Sequence, residues 1–214
     1  MLEDIPTNEV SLRIFRLAAQ PALADFLKEQ GLDENAIREM EALLRSRSIT
    51  GTLEELCDAP FKPKKRLKKA TRFSDSSFPV FYSSLETDTA KTEACHQFLK
   101  FAGRPKKPRT VHYICFSCSF DGSAKDLRPM LDTWPQLIDD DYQFCNELGT
   151  KAVELQLDGL LSPSARNESG TNVPVFTRAS ISNPHETVSV AVTYDPSSGT
   201  VSCSEDRKAF TSIR

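Results

Sequence analysis

Residues 110–120, TVHYICFSCSF, constrain this chain more than any other stretch. Their β-branched and aromatic side chains favour an extended backbone buried in a sheet. A shorter run of the same kind precedes it at residues 79–82, and others follow at 173–176, 187–194 and 200–203. Asp195-Pro196-Ser197-Ser198-Gly199 reads as the turn between the last two, because Asp, Pro, Ser and Gly each favour chain reversal. The intervening segments are helical in pattern. Thr87 can cap a helix that runs through Thr89 to Phe101 and ends at Gly103. Residues 129–147 read as loop and helix, continuing helically over 149–157. Strands and helices do not alternate as in a doubly wound sheet, so the expected fold class is α+β.

The 214 residues are 39% hydrophobic, enough for one ordinary soluble domain with room for a small appendage. Only 8 glycines are present, which excludes a collagen-like chain. No apolar run approaches the roughly 20 residues that span a bilayer. The opening MLEDIPTNEV is acidic and lacks the basic-then-apolar order of a secretory leader. A cytoplasmic protein without membrane contact is the expectation.

Six cysteines, at 57, 95, 115, 118, 145 and 203, are expected as free, apolar-like thiols in that setting. Cys115 and Cys118 do form a CxxC. However, it lies inside the strongest strand, where residues three apart point to opposite faces, and no second metal-ligand pair stands at a fitting distance. No metal site is expected.

Charge is unevenly distributed. Residues 1–60 hold 6 basic and 12 acidic side chains, residues 61–110 hold 13 and 4, and residues 111–214 hold 8 and 14. The basic middle contains KPKKRLKK (Lys62 to Lys69) and GRPKKPR (Gly103 to Arg109). Lys62 to Lys69 has no interleaved aromatic residue on which a base could stack, so an anionic small molecule or acidic partner fits it better than nucleic acid does. Within the acidic first block, residues 11–30 place Leu12, Phe15, Ala19, Leu23, Phe26 and Leu27 mostly three or four apart, interrupted at Pro21. Gly31-Leu32-Asp33 then precedes Ile37, Met40, Leu43 and Leu44, and Thr52-Leu53-Glu54-Glu55 matches a capping box. The expected organisation is a helical N-terminal segment (1–60), a basic linker (61–70) and a catalytic domain (71–214). The first segment would pack on or gate the basic mouth, or dock a partner, and a chain starting near Pro60 would keep its activity.

GxGxxG, GxxxxGK[ST], GxSxG and HExxH are all missing. His96, His112 and His185 lie in unrelated contexts, and His112 follows the strand periodicity. Three other patterns occur in order. Thr71-Arg72-Phe73-Ser74 is followed by Pro79-Val80-Phe81-Tyr82-Ser83. Glu86-Thr87-Asp88-Thr89-Ala90-Lys91-Thr92-Glu93 comes next. Far downstream stand Asp158 to Arg166, DGLLSPSAR, and Gly170 to Phe176, GTNVPVF.

This order resembles the RES domain family, which shows an RF pair, an aliphatic-aromatic strand ending in Tyr, TAxxE, and a late PSxR followed by a Gly/Asn turn and VxxF. The resemblance covers roughly residues 67–176. It implies an ADP-ribosyltransferase-like mixed sheet with helices and an activity that degrades NAD⁺ as substrate, with no separate cofactor. It also implies a toxin role, with a neutralising antitoxin or immunity protein as partner. By motif, Arg72, Tyr82, Glu93 and Ser164 match the family's catalytic positions, and Arg166 and Asn172 match weaker substrate-binding positions after them. The acidic first 60 residues and the basic stretches near Lys64 and Lys106 depart from the pattern.

The residue types suit that chemistry. Cleavage of the nicotinamide–ribose bond releases a neutral base and passes through a ribosyl oxocarbenium ion, which needs a nearby negative charge. Glu93 can supply it. Arg72 is suited to bidentate capture of a pyrophosphate, Tyr82 to stacking and hydrogen bonding, and Ser164 to holding the carboxylate or the nicotinamide amide in register. Taken singly, Glu93 also reads as a solvated helix residue, Arg72 as linker and Ser164 as a turn. The ordered set carries the assignment. Glycohydrolase or phosphorylase chemistry is expected, with a macromolecular ADP-ribosyltransferase or a non-catalytic interaction module as alternatives.

Overall fold

The computed structural model describes residues 1–19, 53–62, 70–102 and 107–206. Its spine is β3 (Arg109–Asp126), which contains the apolar run singled out above. Along one edge lies β1 (Thr7–Ala19), antiparallel from Thr7↔Lys125 to Ala19↔Tyr113. The other edge is shared. β6 (Ile181–Asp195) pairs antiparallel with the first part of β3, and β4 (Gly159–Pro163) pairs parallel with its end. β5 (Thr171–Val175) lies antiparallel to β4, β2 (Phe81–Ser84) antiparallel to β5, and β2 returns to β1 at Phe15↔Ser84. β1, β2, β5, β4 and β3 thus close into a five-stranded ring, from which β6 and β7 (Thr200–Asp206) extend. This is an α+β fold with a mixed sheet.

Among the described residues, three helices lie against the sheet: α1 (Leu53–Asp58), α2 (Thr87–Ala102) and α3 (Gln143–Glu154). Single 3₁₀ turns occupy Arg128–Met130, Pro135–Ile138 and Arg178–Ser180, the first two with proline near the start, where a missing N–H costs nothing. No described helix is long and apolar enough to cross a membrane.

Alternation along β3 divides the core. Ile114, Phe116, Cys118 and Phe120 face one cluster with Ile14, Phe81, Val173, Val175 and Cys57 of α1. Cys115, with Val111 and Tyr113 beside it, faces another with Phe98, Val190 and Val192, beneath α2. The two CxxC thiols therefore sit in different clusters. A third cluster, around Phe73, Trp134, Leu137, Leu148 and Leu160, lies beneath α3 and takes in Leu2.

One expectation is overturned. The helix expected from residue 11 onward is, over 7–19, the strand β1, so the N-terminal segment is not wholly helical and its start belongs to the sheet. Leu23, Phe26, Leu27, Ile37, Met40, Leu43 and Leu44 fall outside the described residues, as does most of the basic run Lys62 to Lys69. The capping-box position is followed by a real but short helix, α1, clamped by Arg178, whose Nε donates to Asp58 at 2.6 Å and whose Nη2 donates to Glu54 at 2.7 Å.

Candidate functional site

The site is built where β2 runs into α2. Glu93 lies in the second turn of α2, facing the end of β4 and the start of β5. Ser164 Oγ, just past β4, donates to Glu93 Oε1 at 2.8 Å. Asn172 Nδ2, on β5, donates to the same oxygen at 2.6 Å. Among the described residues, Oε2 has no hydrogen-bond partner. Ser84 Oγ, on β2, donates to Asn172 Oδ1 at 2.9 Å.

The chain between the two donors is a compact loop seated on the start of α2. Ser164 Oγ accepts from the backbone N–H of Arg166 at 3.1 Å and of Asn167 at 3.2 Å, and the Ser164 N–H donates to the Gly170 carbonyl at 2.8 Å. Asn167 Nδ2 donates to Thr89 Oγ1 at 2.8 Å, and Thr89 Oγ1 donates on to Glu86 Oε2 at 2.8 Å. Glu86 Oε2 also accepts from the Thr171 N–H at 3.0 Å. Gly170 presses so close that a Cβ there would stand 2.3 Å from Thr89 Oγ1. Both ends of the loop are thereby tied to the helix that carries Glu93.

Arg72 and Tyr82 form a second group. Tyr82 Oη donates to Thr71 Oγ1 at 2.7 Å and accepts from the Phe73 N–H at 2.9 Å. Burial pushes its phenol up to about 12. The hydroxyl expected to orient a ligand is thus engaged by the chain itself, and it braces the turn that bears Arg72. Asn146 Nδ2, on α3, holds the same turn through the carbonyls of Thr71 (2.6 Å) and Arg72 (2.8 Å). α3 can approach this closely because residue 149 is glycine: a Cβ there would lie 2.0 Å from the Phe73 carbonyl oxygen. Arg72 Nη1 donates to the carbonyls of Leu137 (3.0 Å) and Asp139 (2.7 Å), and its guanidinium lies 4.7 Å over the Tyr142 ring.

The turn at 139–142 links the two groups. Asp140 pairs with Arg166, and this bond holds its carboxyl below the usual carboxylate range. Arg166 Nε is buried and has no hydrogen-bond partner among the described residues. Lys100 Nζ, from α2, lies 4.0 Å from the Tyr142 ring centroid and donates to its hydroxyl at 2.8 Å. His96, one turn beyond Glu93, is held below its ordinary pKa by partial burial and by Arg166, against the opposing pull of Glu93 and Asp140. A carboxylate fixed on one side therefore lies in the field of Arg166, and Arg72 and Lys100 gather at the Tyr142 ring of the linking turn. Such a set suits a substrate that carries anionic groups and develops positive charge at one carbon.

The structure brings Glu93, Ser164 and Asn172 into direct contact and groups Arg72 with Tyr82, while Arg166 sits between the two groups. Sequence reasoning missed Ser84, Glu86, Thr89, Asn167, Asp140 and Tyr142 as parts of the site. Glu86 and Thr89 lie inside the quoted helix motif, and Asn167 directly follows PSAR. Nothing in the sequence connects Ser84 or Asp140 to them.

Among curated proteins, none matches the chain. A family model does, the RES domain, over residues 45–195, more than half of the 214 residues. Its span holds all six site residues expected from sequence, and the chain belongs to the RES domain family.

Proposed function

We propose that this protein cleaves the nicotinamide–ribose bond of NAD⁺. The observation that carries the reading is the Glu93 carboxylate, gripped at Oε1 by Ser164 and Asn172, with the Arg166 cation in its field and Arg72 and Lys100 gathered at the Tyr142 ring. As the C1′–N bond breaks, its electron pair passes to the nicotinamide nitrogen, so the leaving group departs neutral without a proton donor. The ribosyl carbon is left as an oxocarbenium ion, which Glu93 stabilises by charge. An acceptor oxygen then bonds to C1′ and gives up its proton. Water as acceptor yields ADP-ribose, inorganic phosphate yields its 1-phosphate, and a macromolecular nucleophile yields an ADP-ribosylated product. The guanidinium groups and Lys100 hold the pyrophosphate, with the ring of Tyr142 bracing Arg72 and Lys100. The biological reading is a toxin that depletes cytoplasmic NAD⁺, held in check by a neutralising partner.

Purified protein incubated with NAD⁺ should release nicotinamide, and Glu93→Ala should abolish release while leaving thermal unfolding cooperative. Wild-type protein that consumes no NAD⁺ defeats the proposal. Labelled ADP-ribose appearing on a macromolecule would identify a transferase. Unchanged NAD⁺ in normally growing cells that make the protein would favour an interaction module.

A further inference from the structure

We infer that Ser84 and Asn172 act as a positioning pair, fixing the Glu93 carboxylate so that one oxygen is held by the protein and the other is left for the reacting sugar. The inference rests on the reading of this site as one that cleaves NAD⁺, and it adds two residues that do not touch the substrate.

An asparagine amide is nearly symmetric in shape. Turned by half a rotation, it would present an oxygen to Glu93, and two acceptors would face each other. The Glu93 carboxylate, which only accepts, therefore sets which end faces it. Ser84 anchors the other end: its hydroxyl donates to Asn172 Oδ1 at 2.9 Å, while Nδ2 donates to Glu93 at 2.6 Å. Ser84 is only 2% exposed, on a short strand whose other members include the core residue Phe81. A hydroxyl buried there is unfavourable unless it is bonded. Its neighbour Ser83 bonds a ladder carbonyl, that of Val173, at 2.7 Å, whereas Ser84 bonds a side chain.

The sheet supplies the rigidity. Ser84 and Asn172 are direct cross-strand partners in the β2–β5 register, and Ser84 is also the residue at which β2 meets β1. A slip of β2 by one residue would turn Ser84 to the face opposite Asn172. Ser164 adds a second donor to Oε1 from the end of β4. The carboxylate is thus oriented from two strands, and Asn172, expected from sequence to bind substrate, holds the carboxylate instead.

The test has a spectroscopic arm and a kinetic arm. In a ¹H–¹⁵N spectrum, the Asn172 side-chain amide, assigned by its loss in Asn172→Asp, should show one strongly downfield proton protected from solvent exchange. Glu93→Ala should abolish that shift. Ser84→Ala should move the pair toward the position of exposed asparagines, and Ser84→Thr, which keeps the hydroxyl, should restore it. In nicotinamide release, Ser84→Ala should lower kcat by about 10- to 100-fold, the range seen when a group that orients a reacting residue is lost, with KM nearly unchanged. Ser84→Thr should recover most of the rate. An amide pair that stays in place in Ser84→Ala, or a loss expressed in KM, overturns the inference. If the wild type releases no nicotinamide, the NAD⁺ reading fails, and the amide resonances alone decide whether the pair exists.

Discussion

Glu93 and Arg72 engage their surroundings in different ways, so their losses should differ. Glu93→Gln keeps the hydrogen-bonding shape but removes the charge, which matters only as the oxocarbenium ion forms. It should lower kcat by about 10²- to 10³-fold with little change in KM. Arg72→Ala should mainly raise KM, because a phosphate contact exists in ground and transition states alike. It should also lower the unfolding temperature, since Arg72 holds the carbonyls of Leu137 and Asp139. Steady-state kinetics on both variants checks this, and equal effects on both parameters would undo it. Tyr82 is testable through pH. Its phenol, raised from 10.0 to about 12, keeps its proton more tightly in the folded state than in the unfolded chain. That contribution is complete below about pH 10 and is lost as pH rises toward about 12. Across this window, urea midpoints should fall more steeply for wild type than for Tyr82→Phe, and parallel slopes would refute the assignment. At neutral pH the variant should cost about 1–3 kcal/mol, because the Phe73 N–H and Thr71 hydroxyl lose a partner. The direction of Tyr82 was not legible in sequence. A tyrosine ending a strand reads the same whether its hydroxyl meets a ligand or, as here, residues nine and eleven positions back.

The loop from Ser164 to Asn172 acts as one element with α2, because its fit against Thr89 leaves no room to move. Gly170→Ala would put a methyl group against a fully buried threonine. The loop must then shift, carrying Ser164 and Asn172 away from Glu93. Overpacking of this kind should cost about 1–3 kcal/mol, and nicotinamide release should fall through kcat. Thr89→Ala makes space but loses the bonds to Asn167 and Glu86. The double variant should therefore be less destabilised than the sum of the two single ones, as measured by urea unfolding, because residues in contact do not act additively. Strict additivity would show that the loop does not rest on Thr89. The helix itself was readable from Thr87 and the TAxxE pattern, but its seat was not, because the partners lie some 80 residues downstream. β1 is the opposite case. Leu12, Phe15 and Ala19 satisfy a helical spacing, yet Val10, Leu12, Ile14 and Ala18 also alternate as a strand does. The structure turns these four toward one core and Leu17 toward another. Pairing with β3 decides between the two periods, and neither the partner nor its register is written locally.

At the scale of the molecule, closure of the ring depends on a strand outside the span that matches the family. The RES match begins at residue 45, whereas β1 ends at Ala19. β1 covers one whole edge of β3 and joins β2, so the strand that carries Ser84 and leads into α2 is held on both sides. The same N-terminal segment places Leu2 (1% exposed) in the cluster under α3 and Ile14 (0%) in the cluster with Phe81 and Phe116. Burial of each such side chain contributes about 1.5–3 kcal/mol, a large part of the roughly 5–15 kcal/mol by which a domain is stable. Removal of β1 would also leave the edge of β3 unpaired beside its apolar face, an invitation to association. The expectation that a chain starting near Pro60 keeps activity is therefore replaced by its opposite. A chain beginning at residue 20 should unfold without a sharp transition, bind a hydrophobic dye and release no nicotinamide. Among the described residues, β7 pairs with β6 alone and lies outside the ring. A chain ending before Thr200 should keep cooperative unfolding and Glu93-dependent turnover, with a lowered midpoint. Thermal scans and dye binding on the two shortened chains compare the ring with its extension directly. A cooperative midpoint near that of the full chain in the protein lacking β1 would mean that the ring need not close to hold Glu93 in place.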